Sequence, residues 1–89
     1  MTQFILSALS NDVSYLKGVI TDNIAPKDSI ELASNVWLVA FEGTAQKLAE
    51  QLGLEDGAHG NYIIASMNGV NGFVPQPVIQ WIDEHDRNK

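Results

Sequence analysis

One acid–histidine pair close in sequence is Asp56-Gly57-Ala58-His59. Such a pair can give a metal two ligands, whereas a stable site needs three or more held in fixed geometry. Asp83 and His85 lie too far along the chain for spacing alone to bring them in. A solvated loop histidine is the better reading, and no metal ligand is assigned. Nucleophilic catalysis needs a hydroxyl beside a base. Ser7, Ser10, Ser14, Ser29, Ser34 and Ser66 have no histidine near them in sequence. Gly43-Thr44 opens a helix and can offer free N–H groups to an anion, but it lacks the second glycine and the lysine of a phosphate-binding loop. Gly69-x-x-Gly72 has the spacing of an RNA-clamping loop without its basic residues, so it reads as a turn. No catalytic and no cofactor-binding residue is assigned.

The side chains with the most to offer are aromatic. Trp37 and Trp81 read first as core, with interface anchoring as the functional alternative, because tryptophan is favoured at binding hot spots. With Phe41, Val78 and Ile82 they form the candidate interface set.

The elements that must position these residues are organised around Val36-Trp37-Leu38-Val39-Ala40-Phe41, an unbroken apolar run that predicts a strand buried on both faces. Glu42-Gly43 breaks it, Thr44 caps the next helix, and Ala45, Leu48, Ala49 and Leu52 draw one apolar stripe. Gly53 and Leu54 predict a Schellman stop. Upstream, Phe4 to Leu9 reads as a first strand. Val13, Leu16, Ile20 and Ile24 predict a helix ending at Ala25-Pro26 and weakened by Gly18. Ser29 to Ala33 alternates polar and apolar, as a half-exposed strand does, and Ser34-Asn35 turns it back into the central run. Asn61 to Met67 is a fourth strand. Pro77 starts a short third helix with Val78, Trp81, Ile82 and His85 on one side, and 86–89 reads as a frayed tail.

Strand, helix, strand, strand, helix, strand, with right-handed crossovers, puts both main helices on one side of the sheet. The expected fold is an α+β, ferredoxin-like sandwich (βαββαβ, antiparallel order 4-1-3-2) with an added C-terminal helix, a single domain over 1–89. Either Val36, Leu38 and Ala40 or Trp37, Val39 and Phe41 face the helices. The other set then needs a cover, either the third helix or a second chain. A two-fold dimer with the third helix in the contact is the favoured expectation.

Composition narrows the partners. Eleven acids against five scattered bases give a net charge of −6, which argues against a phosphate-binding surface and so against nucleic acid. With no cysteine, disulfides and zinc–thiolate sites are excluded. The apolar runs are far shorter than the roughly 20 residues of a membrane span, and Met1-Thr2-Gln3-Phe4 lacks the basic start of a secretory signal. The expected setting is cytoplasmic, with no membrane partner.

The Asn35-Val36-Trp37-Leu38-Val39 strand runs into Gly43-Thr44-Ala45, then a hydrophobic strand, a glycine-containing turn, proline and Trp81-Ile82-x-x-His85. That layout over residues 34 to 85 resembles small bacterial ferredoxin-like proteins that are similar in layout to the compact subunit of CRISPR adaptation complexes and its toxin-like relatives. The resemblance implies a homodimer joined through sheet surfaces or edges. It also implies an aspartate at the end of the first strand in nuclease members. Here that position falls in Ser7-Ala8-Leu9-Ser10, with no acid before Asp12, so nuclease activity is not carried over. The favoured function is a non-catalytic protein-interaction module. The alternatives are a small-ligand-binding regulatory domain and a degenerate metal-dependent nuclease.

Overall fold

Two apolar cores lie on opposite sides of a single antiparallel sheet, and the central strand contributes to both. The computed structural model describes residues 1–9, 13–55, 57, 60–67 and 72–85. Among them run β1 (Thr2–Ala8), α1 (Val13–Asn23), a 3₁₀ turn (Pro26–Asp28), β2 (Ser29–Ala33), β3 (Val36–Phe41), α2 (Ala45–Gln51), β4 (Tyr62–Ser66) and α3 (Gln76–Glu84). The chain is thus a small α+β protein. Its strands lie in the order β2-β3-β1-β4, and every neighbouring pair is antiparallel. Counted from the β4 edge, that order reads 4-1-3-2.

Strand alternation decides which residues face which core. Leu6 pairs with Trp37 and Phe4 with Val39, and these four side chains point to the side carrying α1 and α2. There they pack with Leu16 and Ile20 of α1 and Leu48 and Leu52 of α2. Phe41 closes the same core from its edge, its ring edge-on to Phe4. Each fully buried leucine of this kind contributes about 1.5–3 kcal/mol relative to its exposed state, so the inner layer supplies most of the cohesion. The set Trp37, Val39 and Phe41 therefore faces the helices.

Leu38 and Ala40 point the other way, onto α3. Val78 and Trp81 cover them, with Ile30, Leu32, Met67, Val74 and Ile82 packed around. This explains the alternation in β2. Its apolar residues Ile30 and Leu32 serve the outer core, while Glu31 lies exposed. A register shift between Glu31 and Ala33 irregularises that edge.

Local chemistry sets the ends of the elements. Thr44 Oγ1 accepts from the Lys47 amide at 3.1 Å and caps α2. At its other end the Gly53 amide donates to the Glu50 carbonyl and the Leu54 amide to the Ala49 carbonyl, the paired bonds of a Schellman motif. Gly53 sits at φ +70°, a conformation glycine adopts at little cost. Strand β1 begins two residues earlier than expected and stops at Ala8, short of Leu9. Helix α3 begins at Gln76, one residue before Pro77. The 3₁₀ turn at Pro26–Asp28 has no counterpart in the hydrophobic pattern, since none of its residues is buried. The expected tail at 86–89 and residues 69–71 of the expected Gly69-x-x-Gly72 turn lie outside the described residues.

Candidate interaction surface

The residues expected to carry an interface are mostly used within the chain. Trp37 is 3 % exposed in the inner core, and Val78 (5 %) and Trp81 (7 %) are buried in the outer one. Phe41 and Ile82 are half-buried against the two cores. For Trp37, Val78 and Trp81 the correction is plain: none can reach a partner while the sheet and its helices stay packed. Helix α3 lies across its own sheet, the intramolecular one of the two covers expected.

Polar contacts from two elements, β1 and the 3₁₀ turn, fix α3 there. The Trp81 indole Nε1–H donates to the Lys27 carbonyl at 3.0 Å. The amide nitrogen of Gln3 donates to the Ile82 carbonyl at 2.9 Å, while Gln3 Oε1 is enclosed without a hydrogen-bond donor. His85 stacks on Trp81 with ring centroids 4.1 Å apart. Its Nδ1 lies 2.8 Å from the Trp81 carbonyl oxygen and its Nε2 3.2 Å from Asp28 Oδ1. Both ring nitrogens thus face oxygen acceptors, and a ring carrying both protons donates to each. His85, read from the sequence as one more residue on the apolar side of the helix, is a clasp onto the 3₁₀ turn.

The cover is incomplete. Leu38 is 2 % exposed beneath α3, yet Ile5, its partner across the β1–β3 ladder, is 37 % exposed. On β4 the outward-facing Ile63 is 55 % exposed, and Ala65 beside Ile5 is exposed too. The shelter of α3 therefore ends between β3 and β1, leaving an apolar strip on the β1–β4 side. Beyond it is the free edge of β4, which pairs with no other strand among the described residues. Sequence reasoning missed this strip because β1 and β4 read as uniformly apolar strands. The available signal was geometric: one nine-residue helix is too narrow to cover four strands.

The other candidate chemistry is not assembled among the described residues. Asp56, His59, Asp12 and Gly69 lie outside the described residues. Among the described residues no three of His, Asp and Glu group closely enough to hold a metal ion. At Gly43 the Phe41 ring occupies the space a side chain would fill, its Cε2 2.9 Å from where a Cβ would lie. α2 has only seven residues, so this helix start is poorly placed to hold an anion. A hollow of about 160 Å³, lined in part by Met1, Asn23, Asp28, Phe41 and Glu42, is smaller than the roughly 300–1,000 Å³ of ordinary small-molecule sites. No described helix is long and apolar enough to cross a membrane.

No protein-family model matches the chain, and comparison with curated proteins gives no match either.

Proposed function

We propose that this protein is a non-catalytic interaction module, built on a ferredoxin-like frame and working as a homodimer. The antiparallel order β2-β3-β1-β4, with α1 and α2 in one core, supports that frame. The same layout supports kinship with the compact ferredoxin-like subunit of CRISPR adaptation complexes, taken without nuclease chemistry because Ser7 and Ala8 close β1 where nuclease members carry an aspartate. The observation that carries the reading is the bare strip of Ile5, Ile63 and Ala65 beside α3. Apolar side chains placed together on a regular strand surface mark association sites on soluble proteins. The strip bears no charge, so a like strip can approach it although each chain carries −6. Cytoplasmic placement is part of the same proposal.

Sedimentation velocity on the intact chain tests it. The wild type is expected to sediment as a dimer at tens of micromolar. Ile5→Lys/Ile63→Lys is expected to sediment as a monomer with an unchanged far-ultraviolet circular dichroism spectrum. A wild type that stays monomeric into the high micromolar range overturns the homodimer.

A further inference from the structure

We infer that α3 is a proton-operated lid: a proton taken up by His85 holds it closed over the outer face of the sheet, and loss of that proton loosens it. This holds whatever the assembly state of the chain. His85 is the C-cap residue of α3, and its surroundings are built for a cation. Its Nε2 lies 3.2 Å from Asp28 Oδ1 and its Nδ1 2.8 Å from the Trp81 carbonyl oxygen. A neutral imidazole has a single N–H, so it serves one of these acceptors and turns a lone pair on the other. The Trp81 indole lies 21° from parallel to the ring, and an aromatic face attracts positive charge. The C-terminal end of a helix carries partial negative charge and does the same.

Few other charges surround the ring among the described residues. From the 3₁₀ turn, Asp28 faces it, while Lys27 lends its carbonyl to Trp81. β1 contributes Gln3, which does not titrate. On α3 itself Asp83 and Glu84 are exposed, and Glu84 accepts from Gln80. Met1 and Glu42 line the hollow that Asp28 also borders. His85 and Asp28 are both half-buried, so salt screens their pairing less than it would on an open surface.

The lid controls an apolar face. Beneath α3 lie Leu38 and Ala40, with Ile30 and Leu32 beside them. Leu38 pairs across the ladder with Ile5, which is already bare. Lifting α3 therefore widens one apolar surface from β1 across to β2. The sign follows from the two acceptors. The closed lid offers them to the protonated ring, and the open lid returns that ring to water, so protonation favours closure. Histidine changes charge between pH 5 and 8, and the outer face is better covered at the lower end of that range.

Backbone hydrogen exchange, corrected for the intrinsic rate at each pH, reads the lid directly. Between pH 5.5 and 8.0 carboxylates stay ionised. The protection of amides 80–84 in α3 is expected to fall about tenfold over that range, as loss of a charged hydrogen bond implies. At pH 8.0 they are expected to exchange well ahead of the Leu48 and Leu52 amides of α2, as a locally opening unit does. His85→Gln is expected to abolish the pH response. His59→Gln, at the only other histidine, is expected to keep it. Asp28→Asn retains an acceptor oxygen without the charge and is expected to reduce the response. A flat wild-type profile overturns the lid, with no variant needed. So does a response that survives in His85→Gln or is undiminished in Asp28→Asn, and so does α3 exchanging together with α2 at pH 8.0.

Discussion

One substitution, glycine to alanine, is expected to have opposite effects at two positions. Gly18 lies in the middle of α1 on its exposed side, and a Cβ built there meets nothing within 4 Å. Alanine gains helix propensity and loses less unfolded-state entropy, so Gly18→Ala is expected to stabilise by about 0.4–1 kcal/mol. Gly53 sits at φ +70° in the stop after α2, and its built Cβ would lie 3.2 Å from the Tyr15 hydroxyl oxygen. A left-handed alanine costs about 1–2 kcal/mol, and Tyr15 must also shift. Gly53→Ala is therefore expected to destabilise by at least about 1 kcal/mol. In a domain of this size 1 kcal/mol moves Tm by roughly 4–8 °C, so thermal melts followed by circular dichroism should separate the variants by about 6 °C or more. A Gly18→Ala variant that melts lower than wild type would mean that the exposed side of α1 is packed against something. A neutral Gly53→Ala would mean that α2 does not end in the left-handed turn.

Trp37→Ala removes the largest side chain of the inner core and is expected to cost about 3–5 kcal/mol in urea unfolding; a loss below 1 kcal/mol would contradict its burial. Trp81→Phe keeps an aromatic ring but leaves the Lys27 carbonyl without its indole donor, for an expected loss of about 1–2 kcal/mol by the same assay. If Trp81→Phe matches wild type, the bond from α3 to the 3₁₀ turn contributes nothing. Purified protein with magnesium or manganese is expected to leave single-stranded RNA and DNA intact. Cleavage that survives re-purification and is lost in Asp12→Ala would restore the nuclease alternative.

The frame was legible because its signals are local. The apolar run Val36–Phe41, the Thr44 cap and the Gly53-Leu54 stop each depend on residues a few positions apart, and each is found as read. The direction of Trp37 was not legible, because Val36–Phe41 is apolar at both parities and only packing against α1 and α2 chooses between them. Nor was the surface strip. Ile5 and Leu6 are alike as sequence, and they differ only in that α3 stops short of one while two helices cover the other. The His85 clasp joins residues 57 positions apart through a turn that buries nothing, so no periodicity announces it.

The contacts that hold α3 also order events in time. Gln3 reaches Ile82 across 79 positions and Lys27 reaches Trp81 across 54. Contacts between such distant residues form slowly, since a long loop must close before they give anything back. The inner core draws on no described residue beyond β4, so it can form before α3 closes over the outer face. Through that interval Leu38, Ala40, Ile30 and Leu32 are bare, and the nascent protein is at its most adhesive. A chain ended before residue 75 freezes that moment. It is expected to bind more of a hydrophobic dye than the full chain does, and to be lost to aggregation faster at higher concentration.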